Sequence, residues 1–197
     1  MTAAPHFEEV PLEVRKASLN DLPELLRVIN AYAAKGIMLP RTEFEMAENI
    51  RDFTVVYAGG RLAGCGALHL YTPQIAEVRS LAVQPESKGC GAGRKVVQAL
   101  ELEARAFGLA GVFAFTYIPR FFEKLGFREI DRGELPLKAW KDCLRCPKFS
   151  CCDEIAVIKY FDPSSKGVEY TLKRAHADTA PAPDPTLIPV PQVRNRR

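Results

Sequence analysis

Leu81-Ala82-Val83-Gln84-Pro85-Glu86-Ser87-Lys88-Gly89-Cys90-Gly91-Ala92-Gly93-Arg94 is the stretch that decides the fold of this 197-residue chain. A short apolar strand reaches a proline turn, meets three glycines in five residues and runs into a helix. Glycine stands where a backbone bends tightly, or where it approaches a ligand with no Cβ in the way. The free N–H groups of a helix start, at the positive end of its dipole, cradle phosphate. Spacing excludes two common phosphate loops. The dinucleotide fingerprint needs a third glycine where Arg94 stands, and the Walker loop needs a wider glycine pair closed by Gly-Lys-Ser/Thr.

Around this loop the sequence alternates between strand and helix patterns. Residues 13–17 read as a first strand, after which Ser18 caps a helix carrying Leu22, Leu25, Leu26, Ile29 and Ala33 at helical spacing. Thr42 and Glu45 have the spacing of a capping box, which predicts a short second helix over 43–51. Gly59-Gly60 between the runs 53–58 and 61–70 signals a hairpin. Residues 76–83 form the strand feeding the glycine loop. A long helix follows over 91–107, with Val96 or Val97, Leu100, Ala104 and Phe107 toward the core. The pattern then predicts a strand over 111–116, a helix over 119–125 ended by Gly126 in a left-handed cap, and two last strands over 127–131 and 155–161. No internal repeat is visible.

Composition narrows the function classes. Hydrophobic residues make up 47% and charged residues 26%, as in ordinary globular domains. A net charge of +3 is too small to announce a nucleic-acid surface, yet it suits a polyanionic small molecule. No apolar run approaches a membrane span, and residues 1–10 hold two glutamates and no apolar block. Neither a membrane partner nor a signal peptide is expected, and the cytoplasm is the expected compartment. Residues 1–12 read as an extension, 13–162 as one domain and 163–197 as a tail. The tail carries six of the fifteen prolines, and 180–197 bury too little to offset ordering entropy, so mobility is expected there.

The segment from Leu81 to Gly93 resembles motif A of the GNAT acetyltransferases, Leu-Ala-Val-x-Pro-x-x-Arg/Gln-Gly-x-Gly-x-Gly, with Lys88 where Arg or Gln is usual. The resemblance implies an α/β fold of the GNAT kind: a mixed, splayed sheet of six to seven strands flanked by about four helices. It implies acetyl-CoA as co-substrate, its pyrophosphate held by Lys88, Gly89, Cys90, Gly91, Ala92, Gly93 and Arg94. The backbone of Leu81, Ala82 and Val83 would pair with pantetheine as an added strand does, one amide facing the thioester oxygen. Three further segments are similar to N-acetylglutamate synthases: Ile37-Met38-Leu39-Pro40-Arg41-Thr42, Gly64-Cys65-Gly66-Ala67-Leu68-His69 with Glu77-Val78-Arg79, and Phe121-Phe122-Glu123-Lys124-Leu125-Gly126-Phe127 leading to Leu135-Pro136. Longer members of that family carry an arginine-binding kinase domain, for which nothing before Glu13 has room, so the short single-domain form is expected. L-Glutamate is the acceptor this resemblance implies.

Chemistry selects residues within that frame. An ammonium group must lose a proton before it attacks a thioester, and Glu77, four residues before Leu81, stands where many GNAT enzymes keep the base. Strand alternation predicts Glu77, Arg79, Leu81 and Val83 on one face. The other reading of Glu77 is an ion pair with Arg79 on a wet sheet face. Arg41 offers a planar fork for a substrate carboxylate. A second carboxylate needs another cation, with Arg79, Lys138, Arg145 and Lys148 as candidates. The tyrosine that protonates the leaving thiolate in many GNAT enzymes is replaced by Phe122, which leaves Thr116 and Tyr117 to orient a water. His69 reads as a satisfied hydrogen-bonding residue.

Cys143-x-x-Cys146 followed by Cys151-Cys152 has metal-like spacing, and four thiolates would suit a closed structural zinc site. Free intracellular thiols or a redox pair are the other readings of this loop, residues 143–152. Two functional alternatives stay open: a GNAT enzyme for another amine (a protein N-terminus, a lysine or a polyamine), and a non-enzymatic acetyl-CoA sensor or zinc-stapled interaction module. A homo-oligomer also stays open.

Overall fold

A computed structural model describes residues 11–135, 144 and 146–162. Most of the expected N-terminal extension, Pro136, Lys138, Cys143, Arg145 and the tail expected to be mobile lie outside the described residues. Within them, seven strands form one sheet: β1 (Leu12–Lys16), β2 (Phe53–Ala58), β3 (Arg61–Leu70), β4 (Ile75–Val83), β5 (Gly111–Thr116), β6 (Arg128–Glu129) and β7 (Ile155–Tyr160). Their order is β1-β2-β3-β4-β5-β7-β6, antiparallel at every junction except β4–β5. Four helices accompany them: α1 (Leu22–Ala33), α2 (Glu43–Glu48), α3 (Ala92–Ala106) and α4 (Pro119–Glu123). This is the mixed α/β architecture expected from the sequence.

Helical spacing places Val96, Val97, Leu100 and Ala104 of α3 against Ala76, Val78, Val112, Ala114 and Val157 on one sheet face. The opposite face is divided. Leu25, Val28 and Ile29 of α1 and Met46 of α2 cover Val55, Cys65, Ala67 and Ala82. Farther along, Leu135 and aromatic rings cover Ile75, Phe113 and Ile158. Burial of each large aliphatic side chain is worth roughly 1.5–3 kcal/mol, so both layers contribute to holding the sheet. The capping box forms as expected: the Glu45 N–H donates to Thr42 Oγ1 at 3.2 Å, and the Thr42 N–H donates to Glu45 Oε2 at 2.9 Å. The N-terminus of α1 is anchored through Asp21, whose carboxylate accepts two bonds from Arg15, at 2.8 and 2.7 Å, and one from Tyr57 Oη at 2.7 Å.

Several expectations need correction. Phe107 is 61% exposed instead of packed. The helix closes in a Schellman turn, Leu109 N–H to Ala104 O at 3.0 Å and Gly108 N–H to Arg105 O at 2.9 Å. Gly108 at φ +73° swings the chain, and Leu109 takes the core position instead. The strand expected over 127–131 shrinks to two residues, because the Asp131 side chain accepts the Gly133 N–H at 2.7 Å and turns the chain away. The second helix stops at Glu48, and a tight turn over Ile50–Asp52 completes the segment.

The largest correction concerns β4. Between the partners Ala67↔Arg79 and Cys65↔Ala82, β4 carries one residue more than β3. Ser80 absorbs the difference at φ +53°, a conformation rare for a residue with a Cβ. A bulge inverts alternation. Glu77 and Arg79 therefore lie on the face opposite α3, whereas Leu81 and Val83 pack toward it; the single face expected for all four does not exist.

Candidate functional site

β4 and β5 pair over only three residues, Ile75↔Gly111, Ala76↔Val112 and Glu77↔Phe113. Beyond Glu77 they diverge, and a cavity of about 660 Å³ opens between them. That volume falls within the range of small-molecule sites.

One end of the cavity is backbone. Gly89 and Gly91 hold φ +87° and +88°, and a Cβ at either would meet only open space, so the left-handed dihedral itself demands glycine. At Gly93 the reason differs: a Cβ there would sit 3.2 Å from Val83 Cγ2, a tight contact, and 3.5 Å from the Phe121 ring, so glycine lets α3 seat closely on β4. Gly91 caps α3, whose first N–H groups have no intrahelical acceptor. Lys88, Gly89, Gly91, Ala92, Gly93 and Arg94 line this end, joined by Ser87. Two members of the expected set do not. Ala82 is buried on the α1 side, and the Cys90 thiol is exposed.

The other end is made of side chains. Glu77 is 9% exposed, reaches the cavity and accepts a hydrogen bond from Tyr71 Oη at 3.0 Å. The Tyr71 ring meets His69 edge-on at 5.0 Å, and His69 Nδ1 bonds Asp52 at 3.1 Å, which gives His69 the satisfied role expected of it. Arg41 lines the cavity from the loop after α1. Its backbone is clamped by the Asn30 side-chain amide, which donates to Arg41 O and accepts from Arg41 N–H, both at 2.9 Å. Arg79 faces the same space, and so does Arg132, which sequence reasoning missed. The Arg132 guanidinium donates to the Glu154 carbonyl and lies 5.9 Å above the Phe115 ring. Nothing around Asp131-Arg132-Gly133 forms a motif; only the folded turn brings this arginine inward.

Thr116 ends β5 and Tyr117 follows it at the cavity wall. Thr116 Oγ1 accepts the Ile118 N–H at 3.0 Å, which commits one of its lone pairs to the turn. Burial raises the Tyr117 phenol above its ordinary pKa, with the Lys148 ammonium, 3.3 Å away, pulling the other way. Lys148 itself does not line the cavity; it reaches the site through Tyr117. Phe122 is core, packed edge-on between Phe121 and Phe127.

Cys143, one of the four thiolates of the expected zinc site, lies outside the described residues. Cys146 and Cys152 line the cavity while Cys151 is exposed, and among the described residues no three Cys, His, Asp or Glu side chains gather as a metal requires. Cys152 Sγ instead approaches Glu154 Oε2 at 3.7 Å. Burial pushes the Glu154 carboxyl above the usual carboxylate range, opposed by that thiol and by Arg132. No helix among the described residues is long and apolar enough to cross a membrane.

A splayed parallel junction, a glycine loop on a helix N-terminus and a carboxylate between them define an acetyltransferase of the GNAT class. The profile of the Acetyltransferase (GNAT) family matches residues 22–127, and the chain belongs to that family. It is 42% identical over 146 residues to an uncharacterized N-acetyltransferase of Chlorobaculum tepidum, covering 74% of this chain and 94% of that one. It is 35% identical over 157 residues to the amino-acid acetyltransferase of Mycobacterium tuberculosis, covering 78% and 89% respectively. Among solved structures, N-acetylglutamate synthase from Neisseria gonorrhoeae, complexed with coenzyme A and N-acetyl-glutamate, superposes with a TM-score of 0.71 at 24% identity. That match covers 77% of this chain but only 35% of the longer enzyme. A Mycobacterium tuberculosis protein in complex with CoA superposes at 0.67 with 26% identity, over 76% of this chain and 99% of that one. The chain is thus a GNAT acetyltransferase related to the amino-acid acetyltransferases.

Proposed function

We propose that the protein moves the acetyl group of acetyl-CoA to the α-amine of L-glutamate, the reaction of N-acetylglutamate synthase that opens arginine biosynthesis. One observation carries the reading: a single cavity is lined by the glycine loop, by Glu77 and by three arginines, Arg41, Arg79 and Arg132. A polyanion suits the first end and an anionic amino acid the second. The pyrophosphate rests on the loop from Lys88 to Arg94, where backbone N–H groups supply most of the binding. Open space above Gly89 and Gly91 leaves room for it.

Acceptor carboxylates engage Arg41 and one of Arg79 or Arg132, which holds the amine in the neighbourhood of Glu77. Glu77 takes the ammonium proton, directly or through one water, and the neutral nitrogen attacks the acetyl carbonyl. A backbone N–H of Leu81 to Val83 steadies the charge that develops on the carbonyl oxygen. The departing thiolate takes its proton through Tyr117, a phenol protonated at neutral pH and held by its partner Lys148. The test is a thiol-release assay across the free amino acids and lysine-bearing peptides. Preference for L-glutamate supports the reading; preference for lysine or a peptide removes the acceptor while leaving the acetyltransferase.

A further inference from the structure

Tyr32, the next-to-last residue of α1, donates its hydroxyl to the Val83 carbonyl at 2.5 Å, and both residues line the cavity. The direction of that carbonyl matters. Val83 is the β4 partner of Gly64, and the bond flanking them runs from the Gln84 N–H to Ala63 O at 2.9 Å. That arrangement makes Gly64 and Val83 a non-hydrogen-bonded pair, so the polar groups of Val83 turn away from β3 and toward the gap left by β5. A carbonyl on an opened sheet edge wants a donor, and an incoming amide-bearing chain would supply one. Tyr32 already fills the place.

Tyr32 is also tied to the acceptor side. The Lys35 N–H and the Ile37 N–H both donate to the Tyr32 carbonyl, at 3.1 and 3.4 Å, and the Lys35 ammonium sits 5.5 Å from the ring centroid. The loop so held carries Ile37, Met38 and Arg41 onto the cavity.

We infer that Tyr32 is a positioning residue that stands in for the co-substrate: its hydroxyl occupies the Val83 carbonyl until an amide of the pantetheine arm displaces it. This rests on the reading that acetyl-CoA lies along the open edge of β4. Displacement sets a cost against co-substrate binding.

The test compares wild type with Tyr32→Phe by calorimetry, using CoA and, separately, adenosine 3′-phosphate 5′-diphosphate, which lacks the pantetheine arm. Loss of the competing hydroxyl should tighten CoA binding roughly three- to tenfold, the worth of one hydrogen bond. The arm-less probe should bind both proteins alike. A purely structural role would instead weaken both ligands and lower the melting temperature. Unchanged or weaker CoA binding by a folded Tyr32→Phe protein overturns the inference, and so does equal tightening of the two probes. A wild type that binds neither probe overturns the co-substrate reading beneath it and this inference together.

Discussion

The two ends of the cavity are built from different materials. At the glycine loop, the proposed seat of the pyrophosphate, the lining is main chain, shaped by left-handed glycines at 89 and 91 and by the close seat of Gly93 on Val83. At the other end, where the proposed reaction seats the acceptor, the cavity is lined by side chains from four separate segments: Arg41 after α1, Glu77 and Arg79 on β4, Tyr117 after β5, and Arg132 before β7. A main-chain site needs a contiguous sequence of fixed spacing. A side-chain site needs only that the fold bring its members together, so its residues can change one at a time. In the proposed reaction the first end holds the co-substrate and the second selects the acceptor.

That contrast breaks most sharply at Glu77. Glu77→Gln keeps shape and hydrogen-bonding reach but loses basicity, and kcat near neutral pH should fall roughly a hundred- to ten-thousand-fold. The deficit should narrow as pH rises and more of the amine is already deprotonated, while CoA affinity by calorimetry stays put. A near-normal kcat at pH 7 would return Glu77 to a structural role. Next in size, Arg41→Ala should raise the KM for glutamate roughly ten- to a hundredfold, the worth of a charge-assisted pair, and leave the KM for acetyl-CoA near its original value. If both constants rise together, the two ends are not separable.

Gly91→Val probes the main-chain end. A β-branched residue resists φ +88°, so CoA should bind about tenfold more weakly or worse while the circular dichroism spectrum is retained. Unaltered CoA affinity would remove the loop as the cradle.

The smallest effect on activity should come from the anchor of α1, the helix that precedes the Arg41 loop. Arg15 holds the Asp21 carboxyl far below its usual pKa, with burial opposing and the Ser18 N–H and Tyr57 hydroxyl assisting. A lowered folded value means that the stabilisation is whole above the ordinary carboxylate range and drains away as pH falls toward the folded value. Asp21→Asn should cost about 1–3 kcal/mol in urea unfolding at pH 7, and the gap from wild type should shrink below pH 4. Tyr57, which also bonds Asp21, shifts the other way: burial and Asp21 push it up to about 12, a contribution present below its usual value of 10 and lost as pH climbs through 12. A gap that is flat from pH 3 to pH 7 would show that the carboxylate charge is irrelevant to the anchor.

What could be read from the sequence follows the same division. The boundaries of β2, β3 and β5 were legible because Gly59-Gly60 and largely continuous apolar runs leave little latitude. The glycine loop was legible because its spacing is its chemistry. Arg132 was not, since a lone arginine in a turn carries no period. The side of β4 on which Glu77 stands was not legible either: a two-residue period runs straight through Ser80, and only the pairing with β3 shows the extra residue. Cys146 and Cys152 line the cavity, a placement that their spacing in the sequence does not announce.

The three-residue contact between β4 and β5 also bears on how the protein comes apart. It divides the sheet into two ladders, β1 to β4 and β5-β7-β6, each hydrogen-bonded within itself and welded to the other over a short length. Two such ladders are natural units of partial unfolding, with their own rates of amide exchange. A ligand lying in the gap touches both and so supplies the cross-link the chain omits. Saturation with CoA should then merge two tiers of exchange protection into one, the co-substrate acting as a removable strut of the sheet.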